Sequence, residues 1–184
     1  MTSDRKTISR RKVAAGMAWS VPAVAAVSAA PAFAVSPKCP STTVTGEAVK
    51  YPGNSKAAGT KHGYGFPLTV TNNTDQTVRI TPGTAYVEFD KKGRVNAGGV
   101  KFFDGDPCNG GKQISLDDEK LVLSPGESLE LWYVVDRTGN SSNESGCIHS
   151  TITVELVSGE WPEGEECESV RNEEACFGDT PPQC

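Results

Sequence analysis

Apolar and polar side chains alternate along much of the chain between residues 42 and 157. Alternation with a period of two is typical of strands that bury one face. Leu68 and Val70, for example, are each followed by a threonine, so the two apolar side chains share one face of their strand. Beyond residue 34, no apolar stripe has the longer period of a helix. The pattern predicts a chain built almost entirely of β-strands.

Turn residues divide this region into about seven short strands. Pro125-Gly126 combines a fixed φ with a residue that accepts positive φ, which a type II turn requires. Pro82-Gly83 predicts a bend or bulge, because proline cannot donate to a strand ladder. The predicted strands cover residues 42–50, 64–72, 76–90, 99–103, 112–123, 127–136 and 147–157. These strands can alternate in direction without crossovers, which favours an all-β sandwich of two antiparallel sheets.

Two stretches of this region resemble a known class of sandwich. LTVTNNTDQTVRI (68–80) is similar to the strand–turn units of the Ig-like domains in bacterial surface proteins. LSPGESLEL (123–131) is similar to their proline–glycine hairpins. The resemblance implies an Ig-like antiparallel β-sandwich, which we assign to residues 35–159.

Residues 1–34 have the composition of a secretory signal peptide. Basic residues between Arg5 and Lys12 precede an uncharged, alanine-rich run, and Ala32-Phe33-Ala34 places small residues where signal peptidase reads them. We therefore predict cleavage between Ala34 and Val35. An uncleaved helical anchor is the alternative, but the run is weakly apolar and interrupted by prolines.

The basic start contains Arg10 and Arg11 within SRRKV (9–13), which resembles the twin-arginine export motif. The general secretory route is the alternative. The alanine-rich style of the segment resembles the signals of exported proteins from Gram-positive actinobacteria. Either route predicts a mature chain that is secreted or held at the cell envelope, with no membrane segment after the signal is removed.

All six cysteines lie after the predicted cleavage position: Cys39, Cys108, Cys147, Cys167, Cys176 and Cys184. An even number in an exported chain predicts three disulfides, and the CxxC pairs of zinc sites are absent from the sequence. Cys108 precedes one predicted strand and Cys147 begins another at the same end of the sandwich. We therefore expect a Cys108–Cys147 bridge.

The mature chain is acidic. The signal holds five of the 18 basic and one of the 23 acidic residues, so the net charge changes from −5 to −9 on cleavage. This charge disfavours nucleic acid and anionic membranes as partners, because both are negative. Much of the acidity lies in residues 160–184, which we interpret as a cysteine-rich tail pinned to the sandwich. A cation-binding or basic-partner surface is the alternative for this tail.

The sequence offers no catalytic constellation and no cofactor motif. His62 and His149 lie on separate elements, and neither GxSxG nor HExxH is present. DGDPCNGG (104–111) loosely resembles a calcium loop but lacks the closing glutamate, so we predict a turn rather than a metal site. The adjacent acids at residues 117–119 are interpreted as a solvated turn.

These patterns favour an exported, non-enzymatic Ig-like domain that acts by contact with an extracellular or envelope protein or a glycan. A small secreted hydrolase or hydrolase inhibitor, using scattered acids such as Asp117, Asp118 and Glu119, is one alternative. A structural envelope protein without a discrete ligand is another. Trp132, Trp161 and the polar tip holding Asn140 and Asn143 are further candidates for contact.

Mass spectrometry of the exported protein tests the first prediction. We expect a chain that begins at Val35 and carries no free thiol. Retention of residues 1–34 together with six reduced cysteines would contradict both the signal and the disulfide framework.

Overall fold

The computed structural model describes residues 39–136, 144–161, 167, 169–179 and 183. The predicted signal motif at Arg10 and Arg11 and the cleavage position at Ala34 and Val35 lie outside these residues, as do Asn140 and Asn143. Within the described part, the only helices are two short 3₁₀ turns, Pro107–Asn109 and Glu119–Leu121. No described helix is long and apolar enough to cross a membrane.

Eleven strands are present in the described part of the chain. In chain order they are β1 (Ser41–Val44), β2 (Val49–Lys50), β3 (Tyr64–Thr71), β4 (Val78–Phe89), β5 (Gly93–Asn96), β6 (Gly99–Phe103), β7 (Gln113–Ile114), β8 (Val122–Leu123), β9 (Ser128–Asp136), β10 (Gly146–Leu156) and β11 (Val170–Phe177). They form two antiparallel sheets. Sheet 1 has the order β1-β3-β9-β6-β7, with β2 also paired to β3. Sheet 2 has the order β11-β10-β4-β5, with β8 also paired to β4.

This arrangement confirms the predicted all-β fold of two antiparallel sheets. The strand number exceeds seven because the predicted segments 42–50 and 112–123 are each broken into two short strands, and because β5 and β11 were not predicted. The predicted bulge is also present. The pairing of β4 with β10 shifts register where Gly83 approaches Thr151. A Cβ at Gly83 would lie 2.1 Å from the Thr151 hydroxyl, so only glycine fits there.

The core lies between the sheets, and Tyr133 on β9 is at its centre. Its ring lies 5.4 Å from Phe66 and 5.6 Å from Phe102, all three on sheet 1. Its hydroxyl donates a 3.2 Å hydrogen bond to the carbonyl of Thr151 on β10, in sheet 2. Burial raises the pKa of Tyr133 above its ordinary value, so the hydroxyl keeps its proton. A tyrosine that is buried in the apolar core therefore also joins the two sheets through a polar contact.

The last strand, β11, was missed because its sequence is unusually polar. Ala175 and Phe177 follow the alternation and are buried, and Phe177 stacks on Tyr64 at 4.5 Å. The preceding inward positions hold Arg171 and Glu173, which break the apolar pattern. Charges that point inward from an edge strand discourage pairing with another chain. Residues Val170–Phe177 of the segment that we interpreted as a tail are thus part of sheet 2.

The disulfides follow from β11. Cys147 and Cys176 are opposite each other in the β10–β11 register and are bonded, so the predicted Cys108–Cys147 bridge is wrong. A second disulfide joins Cys39 to Cys167 across 128 residues. Cys108 is disulfide-bonded as well, and Cys184 lies outside the described residues. The general prediction of disulfides is confirmed, but their pairing could not be deduced without the last strand.

Replacing Tyr133 by phenylalanine tests the link between the sheets. We expect Tyr133→Phe to lower the free energy of unfolding by about 1 kcal/mol, because the part-buried hydrogen bond to the Thr151 carbonyl is lost. Tyr51→Phe is the matched control, since the Tyr51 hydroxyl is buried without a hydrogen-bond partner among the described residues. Urea denaturation measures both variants. Equal effects would show that the Tyr133 hydrogen bond does not stabilise the sandwich.

Candidate interaction surface

The outer face of sheet 2 carries a row of aromatic and charged side chains. His149 lies on this face, as the alternation of β10 predicts, because its neighbours Ile148 and Ser150 are buried. Directly across the ladder from His149 are Glu174 on β11 and Tyr86 on β4. One strand further, Arg94 projects from β5 beside Tyr86. Four consecutive strands thus each contribute one side chain to the row.

Three of these side chains stack on one another, and we call Arg94, Tyr86 and His149 the outer platform. The rings of Tyr86 and His149 have centroids 4.6 Å apart and planes that differ by 15°. The Arg94 guanidinium lies 3.7 Å from the Tyr86 ring centroid. Arg94 comes from β5 and His149 from β10, the two strands that flank β4 in sheet 2. An exposed cation–π contact of this kind stabilises by about 0.5–1 kcal/mol.

Two glutamates hold the imidazole of the platform. Nδ1 of His149 lies 3.2 Å from Oε2 of Glu174, and Nε2 lies 3.7 Å from Oε2 of Glu88. These contacts become ion pairs when His149 is protonated. Both carboxylates are more than half exposed, so each pair contributes little to the stability of the fold. Their effect is to fix the orientation of the ring against Tyr86.

Next to the platform is a depression of about 270 Å³. Its polar rim includes Thr84 and Thr151, which lie at the bulge. Two hydrogen bonds join them: Thr84 N donates to Thr151 Oγ1 at 2.8 Å, and that hydroxyl donates to Thr84 O at 3.1 Å. Asn172 lies on the other side of the depression. The surface therefore combines a fixed aromatic and cationic platform with polar groups held by backbone geometry.

Beside the outer platform lie three possible metal ligands, two of which are joined in a disulfide and cannot bind a metal. Ligand atoms of Cys147, Glu174 and Cys176 lie within 4.8 Å of one another. The two sulfur atoms, however, are bonded to each other, and metals bind thiolates rather than disulfides. In the oxidised protein these two cysteines form a disulfide that joins β10 to β11.

The DGDPCNGG segment is a turn in which both aspartates have structural partners. Asp106 accepts hydrogen bonds from Cys108 N and Asn109 Nδ2, both at 2.9 Å, and caps the first 3₁₀ turn. Asp104 accepts from Lys112 N at 2.7 Å and lies 3.6 Å from Lys120 Nζ. The Lys112 hydrogen bond is the main reason that the pKa of Asp104 lies below its ordinary value.

The remaining candidates are spread over the fold. Asp118 caps the second 3₁₀ turn by accepting from Lys120 N at 2.9 Å, while its neighbours Asp117 and Glu119 are exposed. The bond from Ser115 to Asp117 lowers the pKa of that carboxyl. The three acids therefore serve a turn and do not converge on a reacting centre.

The two tryptophan candidates have structural partners too. Trp132 is half-buried on β9 and packs against the small cluster of Tyr51, Phe103 and Val134, whereas Trp161 packs against the main core. Asn72 is buried. Its side-chain nitrogen donates to three carbonyls, those of Gln76, Leu123 and Ser124. His62 lies in a turn with positive φ between β2 and β3.

The outer platform was not predicted as a site. The platform depends on the pairing of β10 with β4 and of β4 with β5, which no local sequence pattern indicates. Alternation along each strand does indicate one part of the platform. It places Tyr86 and Arg94 at positions that face away from the core.

No protein-family model and no curated protein matches this chain. Among solved structures, the ASH / PapD-like domain of human CEP192 (PapD-like domain 7) is similar in fold. The match covers 79% of this chain and 88% of that one, with a TM-score of 0.41 and 9% sequence identity. A likeness at this level identifies no family.

Acid titration tests the turn that Asp104 stabilises. The pKa of its carboxyl is lowered on folding, so its contribution is present above the unfolded-state pKa and is lost as the pH falls through the folded-state value. Asp104→Asn should therefore destabilise the protein at about pH 7 and have a smaller effect at about pH 2. Urea denaturation at both values measures this, with the exposed Asp75→Asn as control. A pH-independent effect would contradict the assignment.

Proposed function

We propose that the protein is an exported, non-enzymatic Ig-like domain that acts by contact at or outside the cell envelope, and that it binds its partner through the outer face of sheet 2. The observation that carries the proposal is the outer platform. Tyr and Arg are the residue types that most often dominate binding energy at interfaces. Here they are already stacked and fixed before a partner arrives, which reduces the entropy lost on binding.

Two further features support this function. Disulfides persist in oxidising compartments, so the Cys39–Cys167 and Cys147–Cys176 bonds fit an exported protein. Of the acids that the hydrolase alternative would use, Asp118 instead caps a 3₁₀ turn, and Asp117 and Glu119 are exposed beside it. The hydrolase alternative is thus left with no assembled site among the described residues.

The geometry favours a protein over a glycan as the partner. Sugars bind to aromatic side chains mainly by stacking on an open ring face, but the Tyr86 ring already packs against the Arg94 guanidinium at 3.7 Å and against the His149 ring at 4.6 Å. Arg94, Glu88 and Glu174 are exposed charged side chains on this face. A protein surface with complementary charges can pair with these groups, and electrostatic complementarity of this kind gives specificity.

Affinity capture from envelope and culture fractions with the oxidised protein tests the proposal. We expect one envelope or secreted protein to be retained, and Tyr86→Ala or Arg94→Glu to reduce its affinity by at least about tenfold. Lys56→Glu makes the same charge change at an exposed loop position and should bind normally.

Two results would contradict the proposal. If the wild-type protein retains nothing, the structural envelope alternative is favoured. If capture survives both platform substitutions, the contact surface lies elsewhere on the sandwich. Circular dichroism of each variant establishes that the fold is intact.

A further inference from the structure

A groove of about 930 Å³ lies at one side of the sandwich, where the edges of the two sheets meet. One wall is the segment 44–50, which includes β2, and the other is residues 174–178 of β11 and the turn after it. A hydrogen bond of 3.1 Å from Ala48 N to Cys176 O joins the two walls. The groove is distinct from the outer platform, which lies on the face of sheet 2.

Lys50 lines this groove in an unusual state. Only 4% of the residue is exposed, although lysine is among the residues least often buried. Its Nζ atom is buried and has no hydrogen-bond partner among the described residues. It lies 5.9 Å from the ring centroid of Phe177, which also lines the groove, so the side chain reaches from β2 towards β11.

The nearby negative charge offsets only part of the cost of burying the Lys50 amine. Burial lowers the pKa of Lys50, and the charge of Asp179 opposes this only in part. The carboxylates that line the groove itself are Glu47 and Glu174, and both are exposed. An ammonium group without an acceptor is costly to bury, and an incoming anion can recover that cost.

We infer that this groove binds an apolar monocarboxylate, with the carboxylate on Lys50 Nζ and the apolar body against Ala48, Ala175 and Phe177. One ammonium matches one carboxylate. A phosphate dianion is a poorer match, because the two rim glutamates repel the second charge and no arginine fork lines the groove. The volume lies within the range of small-molecule sites. This inference does not depend on the proposed protein partner.

Octanoate is the probe that tests the site, with NMR of the oxidised full chain as the measurement. We expect saturable shifts in the amide resonances of residues 44–50 and 174–178, with a Kd below about 1 mM. Lys50→Met should weaken octanoate binding at least about tenfold, since a charge-assisted hydrogen bond is lost. Lys92→Met is the matched control, because Lys92 Nζ also lies near an aromatic ring, 5.6 Å from the Phe89 centroid, but is exposed.

Ligand controls separate the carboxylate from the apolar body. Octanol, octylamine and octyl phosphate should each bind at least about tenfold more weakly than octanoate. A second measurement needs no variant: the Cε resonance of Lys50, followed through a pH titration, should report a higher pKa when octanoate is bound, because the carboxylate favours the charged amine.

The inference is overturned if octanoate at about 10 mM leaves these resonances unchanged. Equal binding by octanol, or an unchanged affinity in Lys50→Met, would overturn it as well. Tyr86→Ala should leave octanoate binding unaltered, so failure of this site and failure of the proposed contact surface give different results.

Discussion

The contact between β9 and β10 through Tyr133 is the point on which the rest of the structure depends. Its ring fills the centre of the core, and its hydroxyl reaches the Thr151 carbonyl in the other sheet. This contact fixes β10 with Ile148 and Ser150 inward, and therefore His149 outward. The outer platform is thus set by the burial of the opposite face of the same strands. A change in register by one residue would move His149 into the core and remove the platform.

The last strand connects the two surfaces that we propose for binding. Glu174 faces His149 on the outer face and also lines the groove that holds Lys50. Beside it, the Cys147–Cys176 bond and the burial of Phe177 hold β11 against β10. The exposed contacts of the platform contribute little to stability, so the position of this strand comes from the disulfide, the ladder and the aromatic packing.

Strand prediction succeeded where the alternation was strong and failed where charge interrupted it. β3, for example, buries Leu68 and Val70 at the positions that the pattern assigned. β11 was missed because Arg171 and Glu173 occupy inward positions near the sheet edge, where partial exposure tolerates charge. The predicted Cys108–Cys147 pairing was wrong for the same reason, since Cys147 and Cys176 become neighbours only through the β10–β11 register.

The sequence by itself determined the class of fold, the bulge at Pro82-Gly83 and the outward direction of His149, because each depends on local backbone preference or on alternation within one strand. The tertiary structure alone decided the order of strands in each sheet. Arg94, Tyr86 and His149 lie far apart in sequence and meet only because β5, β4 and β10 are neighbours in sheet 2. Lys50 likewise has a buried amine without a hydrogen-bond partner among the described residues only in the assembled fold, since burial is a property of the packed sheets and not of the local sequence.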